Sequence, residues 1–222
     1  MNLNKYKSLI QVMPILDQAF VIKSKNWEKQ LKADHLELIF EGKSEITLNR
    51  EDIITTNRID LFLLKTILWG YPAGMRGTHF SSIYNRLDDL GAIINNPNRL
   101  HLNFKELAEL QTNLRPFKGL GLSTYTKFLQ LRGFRFDRNP ALILDERIIR
   151  VFQSNIFEDF KDLSKISDYN KEQYYSSYLK CMCTCAGELS TSPEHLEMFL
   201  FTFGNNLKGT DTAVKYISES SF

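Results

Sequence analysis

Most hydrophobic residues of this chain recur at helical spacing, and the pattern is clearest from residue 58 onward. Between residues 58 and 69 apolar side chains lie almost all round, which is typical of a helix buried on most sides. The same period predicts helices over residues 83–90, 104–114, 123–133, 170–188 and 192–203, and one more that begins at Asp145. Residues 51–222 are therefore predicted to form one all-α domain.

The first fifty residues have a weaker pattern and are predicted to be a separate segment that packs on the helical core. Residues 11–21 indicate a short helix with Pro14 near its start. Residues 35–40 alternate weakly between apolar and polar side chains, and residues 46–48 can pair with them as a β-hairpin. Any strands of the chain are expected here.

Size and charge narrow the class of protein. A chain of 222 residues with 43% hydrophobic and 24% charged residues can bury a good core. Its formal net charge of +2 neither demands nor forbids nucleic acid, so a surface that binds DNA must be local. There is no apolar run of membrane-spanning length and no signal-peptide pattern near the N-terminus, so we expect a cytoplasmic protein.

The metal-binding residue types do not suggest a metal site. Cys181, Cys183 and Cys185 cannot alone complete a four-thiolate site, and their spacing favours small residues that pack a helix. The four histidines are scattered along the chain without metal-ligand spacing. No cofactor is expected, and a monovalent cation at the turn described next stays open.

A glycine-rich turn separates two of the predicted helices. In Gly119-Leu120-Gly121 the glycines allow a sharp reversal, and the leucine fills the gap where the helices meet. The turn leaves backbone N–H groups at the start of the second helix, predicted to be capped by Ser123 or Thr124, where a phosphate can bind. Lys118 and Arg115 add positive charge. A plain structural turn is the alternative.

A single carboxylate follows the apolar run of residues 141–144. Asp145 is predicted to stand at the N-terminus of the next helix, where an aspartate caps well. Capping and catalysis are compatible, because a capping carboxylate stays ionised.

The ordered set of these motifs resembles the helix-hairpin-helix DNA glycosylase superfamily, and most closely its bacterial 8-oxoguanine-glycosylase-like group. The matching residues, in order, are Gly119-Leu120-Gly121, Leu131-Arg132-Gly133, Leu142-Ile143-Leu144-Asp145 and Arg150. The resemblance extends over residues 58–205 and implies a two-lobed, mainly all-α architecture. Some members of that group lie beside antiviral defence genes.

The resemblance implies roles for two residues. Asp145 would stabilise the positive charge that builds on the sugar when a base is released. Members with lyase activity carry a lysine two residues after the second glycine, and this chain has Ser123 there. Lys127 lies one helical turn later and leans back toward the helix N-terminus, so it is the candidate nucleophile. Its apolar neighbours suggest burial; a solvated lysine is the alternative, and water would then attack.

Aromatic and basic residues near the predicted buried helix suggest where a flipped base would bind. Trp69, Tyr71 and Arg76 are the candidate base pocket, although a Trp69 that fills the core explains the pattern equally well. Candidate phosphate contacts are Arg99, Arg132, Arg135 and Arg138, although an arginine of this kind is more often a solvated surface charge.

The sequence thus predicts a DNA glycosylase of base excision repair, with a damaged or modified purine as its substrate and 8-oxoguanine as the leading candidate. Lys127 would add AP-lyase activity. The expected partner is double-stranded DNA with a flipped base, with no membrane. Two alternatives stay open: a DNA-binding module without catalysis, and a defence-associated factor that acts on another nucleic acid or on nucleotides.

Overall fold

The computed structural model describes residues 1–97 and 100–207, and it is mainly α-helical, as predicted. The α-helices of the described residues are α1 (Lys7–Gln11), α2 (Ala33–Phe40), α3 (Arg50–Ile54), α4 (Ile59–Gly70), α5 (His79–Tyr84), α6 (Leu87–Ile94), α7 (Phe104–Leu114), α8 (Leu122–Leu131), α9 (Glu146–Gln153), α10 (Lys171–Glu188) and α11 (Pro193–Phe203). The short strands are β1 (Phe20–Lys23), β2 (Glu45–Leu48), β3 (His101–Leu102), β4 (Arg135–Phe136) and β5 (Asn139–Pro140).

The described residues form two compact units. One contains residues 14–143, and the other contains residues 1–13 and 144–207. The boundaries between the units therefore lie after residues 13 and 143, whereas the sequence suggested a boundary after residue 50. The reason is that α2, α3 and β1 all pack against α4, whereas only the first thirteen residues belong with the C-terminal helices.

Helix α4 is the centre of the unit formed by residues 14–143. Phe62, Leu63 and Leu64 are completely buried, and Trp69 is 3% exposed. Helices α2, α3, α6 and α8 and strand β1 contact α4. The apolar pattern of residues 58–69 therefore predicted both the helix and its burial correctly.

The hairpin predicted in the first fifty residues is only half correct. Residues 46–48 lie in β2, but the antiparallel partner is β1, with Ile22 opposite Ile46. The expected partner, residues 35–40, lies in α2 because Ile39 and Phe40 turn inward at helical spacing from Leu36.

The helix predicted over residues 11–21 is not formed. Helix α1 ends at Gln11, ahead of Pro14, and Phe20 begins β1. Proline lacks the backbone donor that would continue the helix, and it restricts the conformation of the residue before it.

Two further regions differ from the prediction for residues 51–222. The helix expected over residues 83–90 is two helices, α5 and α6, which are separated at Asn85 and Arg86. The segment after α8 is not a loop alone, because β4 pairs in parallel with β3 and antiparallel with β5. Asp137 and Arg138 make the turn between β4 and β5 with positive φ angles of 45° and 71°.

Helix α11 is the centre of the other unit, where it packs against α1, α9 and α10. Ser192 caps its N-terminus and Pro193 is its first residue, as the sequence predicts. All three cysteines lie in α10, and Cys185 is buried. Within residues 1–97 and 100–207, no group of side chains is arranged to hold a metal ion.

None of the described helices has the length and hydrophobicity needed to span a membrane. Arg99 and the C-terminal tail from residue 208, about which the sequence made predictions, lie outside the described residues.

Candidate functional site

The glycine-rich turn joins α7 to α8, as predicted. The N–H of Phe117 donates to the carbonyl of Leu114 at 3.1 Å, and the N–H of Leu120 donates to that of Phe117 at 3.0 Å. Phe117 and Leu120 are 3% and 7% exposed. Two buried apolar side chains thus anchor the turn and leave Lys118 on the surface.

Gly119 must be glycine for two independent reasons. Its φ of +84° is a conformation that L side chains rarely adopt. A Cβ atom here would also lie 2.7 Å from both the Cα and the Cβ of His79, at the start of α5. The first turn of α5 therefore lies directly against the hairpin, a contact that the sequence gave no sign of.

Helix α8 begins without a side-chain cap. The sequence suggested Ser123 or Thr124 as the cap, which is wrong: the N-cap residue is Gly121, in an extended conformation. Its carbonyl accepts from the N–H groups of Thr124 and Tyr125, at 2.9 and 3.1 Å. The first N–H groups of a helix have no acceptor within it, so this end of α8 can donate to an anion.

Lys127 runs back along α8 from a buried position. The residue is 7% exposed, and its Nζ lies 2.6 Å from the carbonyl oxygen of Ser123 and 3.1 Å from the Ser123 Oγ. Its side chain therefore covers one helical turn toward the N-terminus. It brings the ammonium group to Ser123, the position at which the resemblance leads one to expect a lysine.

The last turn of α4 lies along the other side of the Lys127 side chain. A Cβ atom on Gly70 would be 3.0 Å from both the Cδ and the Cε of Lys127. The Nζ lies 5.7 Å from the centre of the Tyr71 ring, and the Tyr71 hydroxyl is 2.7 Å from the Thr124 Oγ1. The sequence suggested Tyr71 only for the base pocket and did not link it to Lys127.

The other two candidates for the base pocket have different surroundings. The indole Nε1 of Trp69 donates to the carbonyl of Gln18 at 3.0 Å, and the Arg50 guanidinium lies 5.3 Å from its ring centre. These are the contacts of a side chain that fills the core, one of the two roles left open for Trp69. Arg76 is exposed in the segment between α4 and α5.

Asp145, in the other unit, caps helix α9. Its Oδ1 accepts from the N–H of Ile148 at 3.1 Å, and the residue is half-buried. Among the described residues no hydrogen bond reaches its other carboxylate oxygen. The cap thus fixes one carboxylate oxygen and leaves the other available to a bound molecule.

Two of the remaining basic candidates make side-chain contacts within the protein. Arg132 donates to the Asn95 side chain, and the Arg135 guanidinium donates to the carbonyl of Arg138 at 3.0 Å. Arg115 is exposed close to the hairpin.

A family model matches most of the chain. The model of the family described as "Putative 8-oxoguanine DNA glycosylase OGG-like protein" matches residues 13–201. The matched range includes the hairpin, Lys127 and Asp145. None of the curated proteins and none of the solved structures matches the chain.

Proposed function

Because the chain belongs to the OGG-like glycosylase family, we propose that it excises an oxidised or otherwise modified purine from duplex DNA, with 8-oxoguanine as the first candidate. Enzymes of this kind rotate the target nucleotide out of the duplex before they break its bond to the sugar. We further propose that Lys127 and Asp145 perform this reaction, and that Lys127 also cleaves the strand.

The observation that carries the proposal is the placement of the Lys127 Nζ at Ser123. The amine is 3.1 Å from the Ser123 Oγ although its Cα lies one helical turn away. A solvated surface lysine would not bury its side chain to 7% exposure. A buried lysine directed at a helix N-terminus that can bind phosphate supports a role as nucleophile.

The proposed reaction begins when the Lys127 ammonium gives up a proton. The free amine then forms a bond to C1′ while the bond from C1′ to the base breaks. The departing base takes the electron pair and gains a proton. The C1′–O4′ bond then breaks and O4′ takes up a proton, which opens the sugar ring and leaves a protonated imine between Nζ and C1′. Loss of a C2′ proton then expels the 3′ phosphate by β-elimination.

Asp145 is proposed to stabilise the positive charge that develops on the sugar during this step. A carboxylate in a preorganised position acts most strongly where charge develops in the transition state. The capping bond from Ile148, at 3.1 Å, supports this role because it fixes the orientation of the carboxylate before any substrate binds.

The hairpin and its neighbours are proposed to hold the DNA. The N–H groups at the start of α8, with Lys118 and Arg115, would bind backbone phosphates and fix the position of the strand without reading its sequence. Tyr71 and Arg76 are proposed to contact the flipped base.

Borohydride trapping on a duplex that contains 8-oxoguanine tests this function. We expect wild-type protein to release the base and to form a covalent adduct, since borohydride reduces the imine to a stable amine. Lys127→Met should abolish the adduct, whereas the control Lys105→Met, at an exposed lysine of α7, should not. Asp145→Asn should stop base release without weakening DNA binding.

Other outcomes would replace parts of the proposal. Base release without an adduct would make water the nucleophile. Binding of duplexes with oxidised and alkylated purines, but release of no base from any of them, would indicate a DNA-binding module. Activity on single strands or nucleosides alone would indicate another substrate class.

A further inference from the structure

Gly70 ends α4 at a position where the backbone gives no reason for a glycine. Its φ is not in the left-handed region, unlike that of Gly119 or Gly133. Glycine is a poorer helix former than every ordinary residue except proline. A reason for the glycine is therefore sought in its contacts with another part of the chain.

The contact that explains Gly70 is the side chain of Lys127. A Cβ atom built on Gly70 would lie 3.0 Å from the Cδ, 3.0 Å from the Cε and 3.9 Å from the Nζ of Lys127. These are the three nearest atoms, and all belong to that one residue. The end of α4 thus leaves the space of the missing side chain, here called the passage, to the side chain of Lys127.

Tyr71 closes the same passage around the ammonium group. Its ring centre is 5.7 Å from the Lys127 Nζ, and its hydroxyl is held at 2.7 Å by the buried Thr124. A cation over an aromatic ring is attracted to the face of the ring. The amine therefore lies near both the Tyr71 ring and Ser123.

We infer that Gly70 and Tyr71 are positioning residues for Lys127, and that they allow a lysine one helical turn beyond Ser123 to present its amine at the position of Ser123. The inference rests on the role proposed for Lys127. It has a specific consequence: a lysine placed directly at position 123 would not need the passage, and the requirement for glycine at position 70 would disappear.

Gly70→Ala is the first test. The methyl group would press on the Cδ and Cε of Lys127 and shift them by a few tenths of an ångström. Because a displacement of about 1 Å can cost on the order of 100-fold in rate, we expect the rate of borohydride trapping to fall several-fold. Duplex affinity should not change. The matched control is Gly187→Ala in the last turn of α10, where a Cβ would meet no atom within 4 Å.

Unfolding would not explain such a loss, because alanine favours a helix more than glycine does. We expect Gly70→Ala to be at least as stable as the wild-type protein. A variant that loses trapping without losing stability or DNA affinity would identify a defect of positioning.

A shift of the lysine gives the sharper test. In the double variant Ser123→Lys/Lys127→Ser the amine is attached at the position that the family resemblance predicts. We expect this protein to trap the adduct, and we expect the addition of Gly70→Ala to leave its rate unchanged. An equal effect of Gly70→Ala in both backgrounds, or no effect in either, would overturn the inference.

Chemical modification separates this inference from the proposed lyase activity. Reductive methylation with formaldehyde and borohydride, followed by peptide mass spectrometry, measures the accessibility of each amine without any DNA. We expect Lys127 to react slowly in the wild type and several-fold faster in Gly70→Ala and Tyr71→Leu, but not in Gly187→Ala or Tyr71→Phe.

Borohydride trapping and reductive methylation test the two proposals independently. If wild-type protein traps no adduct but Gly70→Ala exposes Lys127, the lyase proposal is wrong and the positioning role stands. If methylation of Lys127 is the same in the wild type and in Gly70→Ala, the positioning role is wrong, whatever the result of trapping.

Discussion

Gly119→Ala should destabilise the protein far more than Gly133→Ala does. The difference between the two losses of stability measures the contact of Gly119 with His79. The two glycines flank α8, and their φ angles are nearly equal, at +84° and +79°. A Cβ on Gly133 would meet no atom within 4 Å, whereas one on Gly119 would lie 2.7 Å from the Cα and Cβ of His79. The two glycines thus match in φ and differ in the collision with α5.

The magnitudes follow from these two terms. The left-handed conformation costs an alanine about 1–2 kcal/mol at either position. The collision at Gly119 adds about 1–3 kcal/mol, the usual range for an extra methyl group in a packed site, because a backbone atom cannot rotate away as a flexible side chain can. We therefore expect a loss of about 2–5 kcal/mol for Gly119→Ala and about 1–2 kcal/mol for Gly133→Ala.

Urea denaturation of both variants, together with titration of a fluorescent duplex, provides the assay. We expect Gly119→Ala to be the less stable protein and to bind DNA more weakly, because relief of the collision moves the hairpin. Gly133→Ala should bind DNA as the wild type does. Equal losses of stability in the two variants would show that α5 can move away from the added methyl group without a loss of stability. The reasoning from the His79 contact would then be refuted.

Three further predictions concern charged residues. Asp145→Asn should change stability by less than about 0.5 kcal/mol because asparagine caps as well as aspartate, while Asp145→Ala should cost about 1 kcal/mol in thermal denaturation. Hydrogen bonding by Arg58 lowers the pKa of Asp60 in the folded protein to about 2, from its usual value of 3.8. The ionised Asp60 therefore stabilises the fold above the pKa of the unfolded chain, and this stabilisation is lost as the pH falls toward the folded-state pKa. Acid denaturation should therefore show less loss between pH 4 and pH 2 in Asp60→Asn than in the wild type. Lys118→Ala should reduce the slope of log affinity for duplex DNA against log salt by about 1, whereas Lys29→Ala, at another exposed lysine, should leave it unchanged.

The elements that the sequence predicted well are those specified by nearby residues. Helix α4 has a continuous apolar surface, α7 begins at Asn103 with a capping box, and α11 has Ser192 and Pro193 at its start. Each signal lies within a few residues of the structure that it determines. Asp145 belongs with them, because a cap depends on the next three residues only.

The hairpin predicted in the first fifty residues was half wrong because its pairing depends on residues that are distant in sequence. Strand β2 was predicted from its own pattern, but its partner is β1, which is more distant in sequence than the expected one. Pairing between strands depends on which apolar faces can be buried together, and residues 35–40 bury Ile39 and Phe40 more effectively as part of a helix. A weak alternation of six residues does not distinguish these outcomes.

In the candidate site, one feature could be predicted from nearby residues and another could not. Helical geometry alone places Lys127 on the same face as Ser123, so the direction of its side chain could be predicted from spacing. Gly70 and Tyr71 could not be linked to it in this way, because they lie more than fifty residues earlier and meet Lys127 only through the packing of α4 on α8. Lys127 lies one helical turn beyond Ser123, so its side chain can bring the amine back to Ser123 only if α4 leaves room for it. The glycine at position 70 and the lysine at position 127 therefore depend on each other.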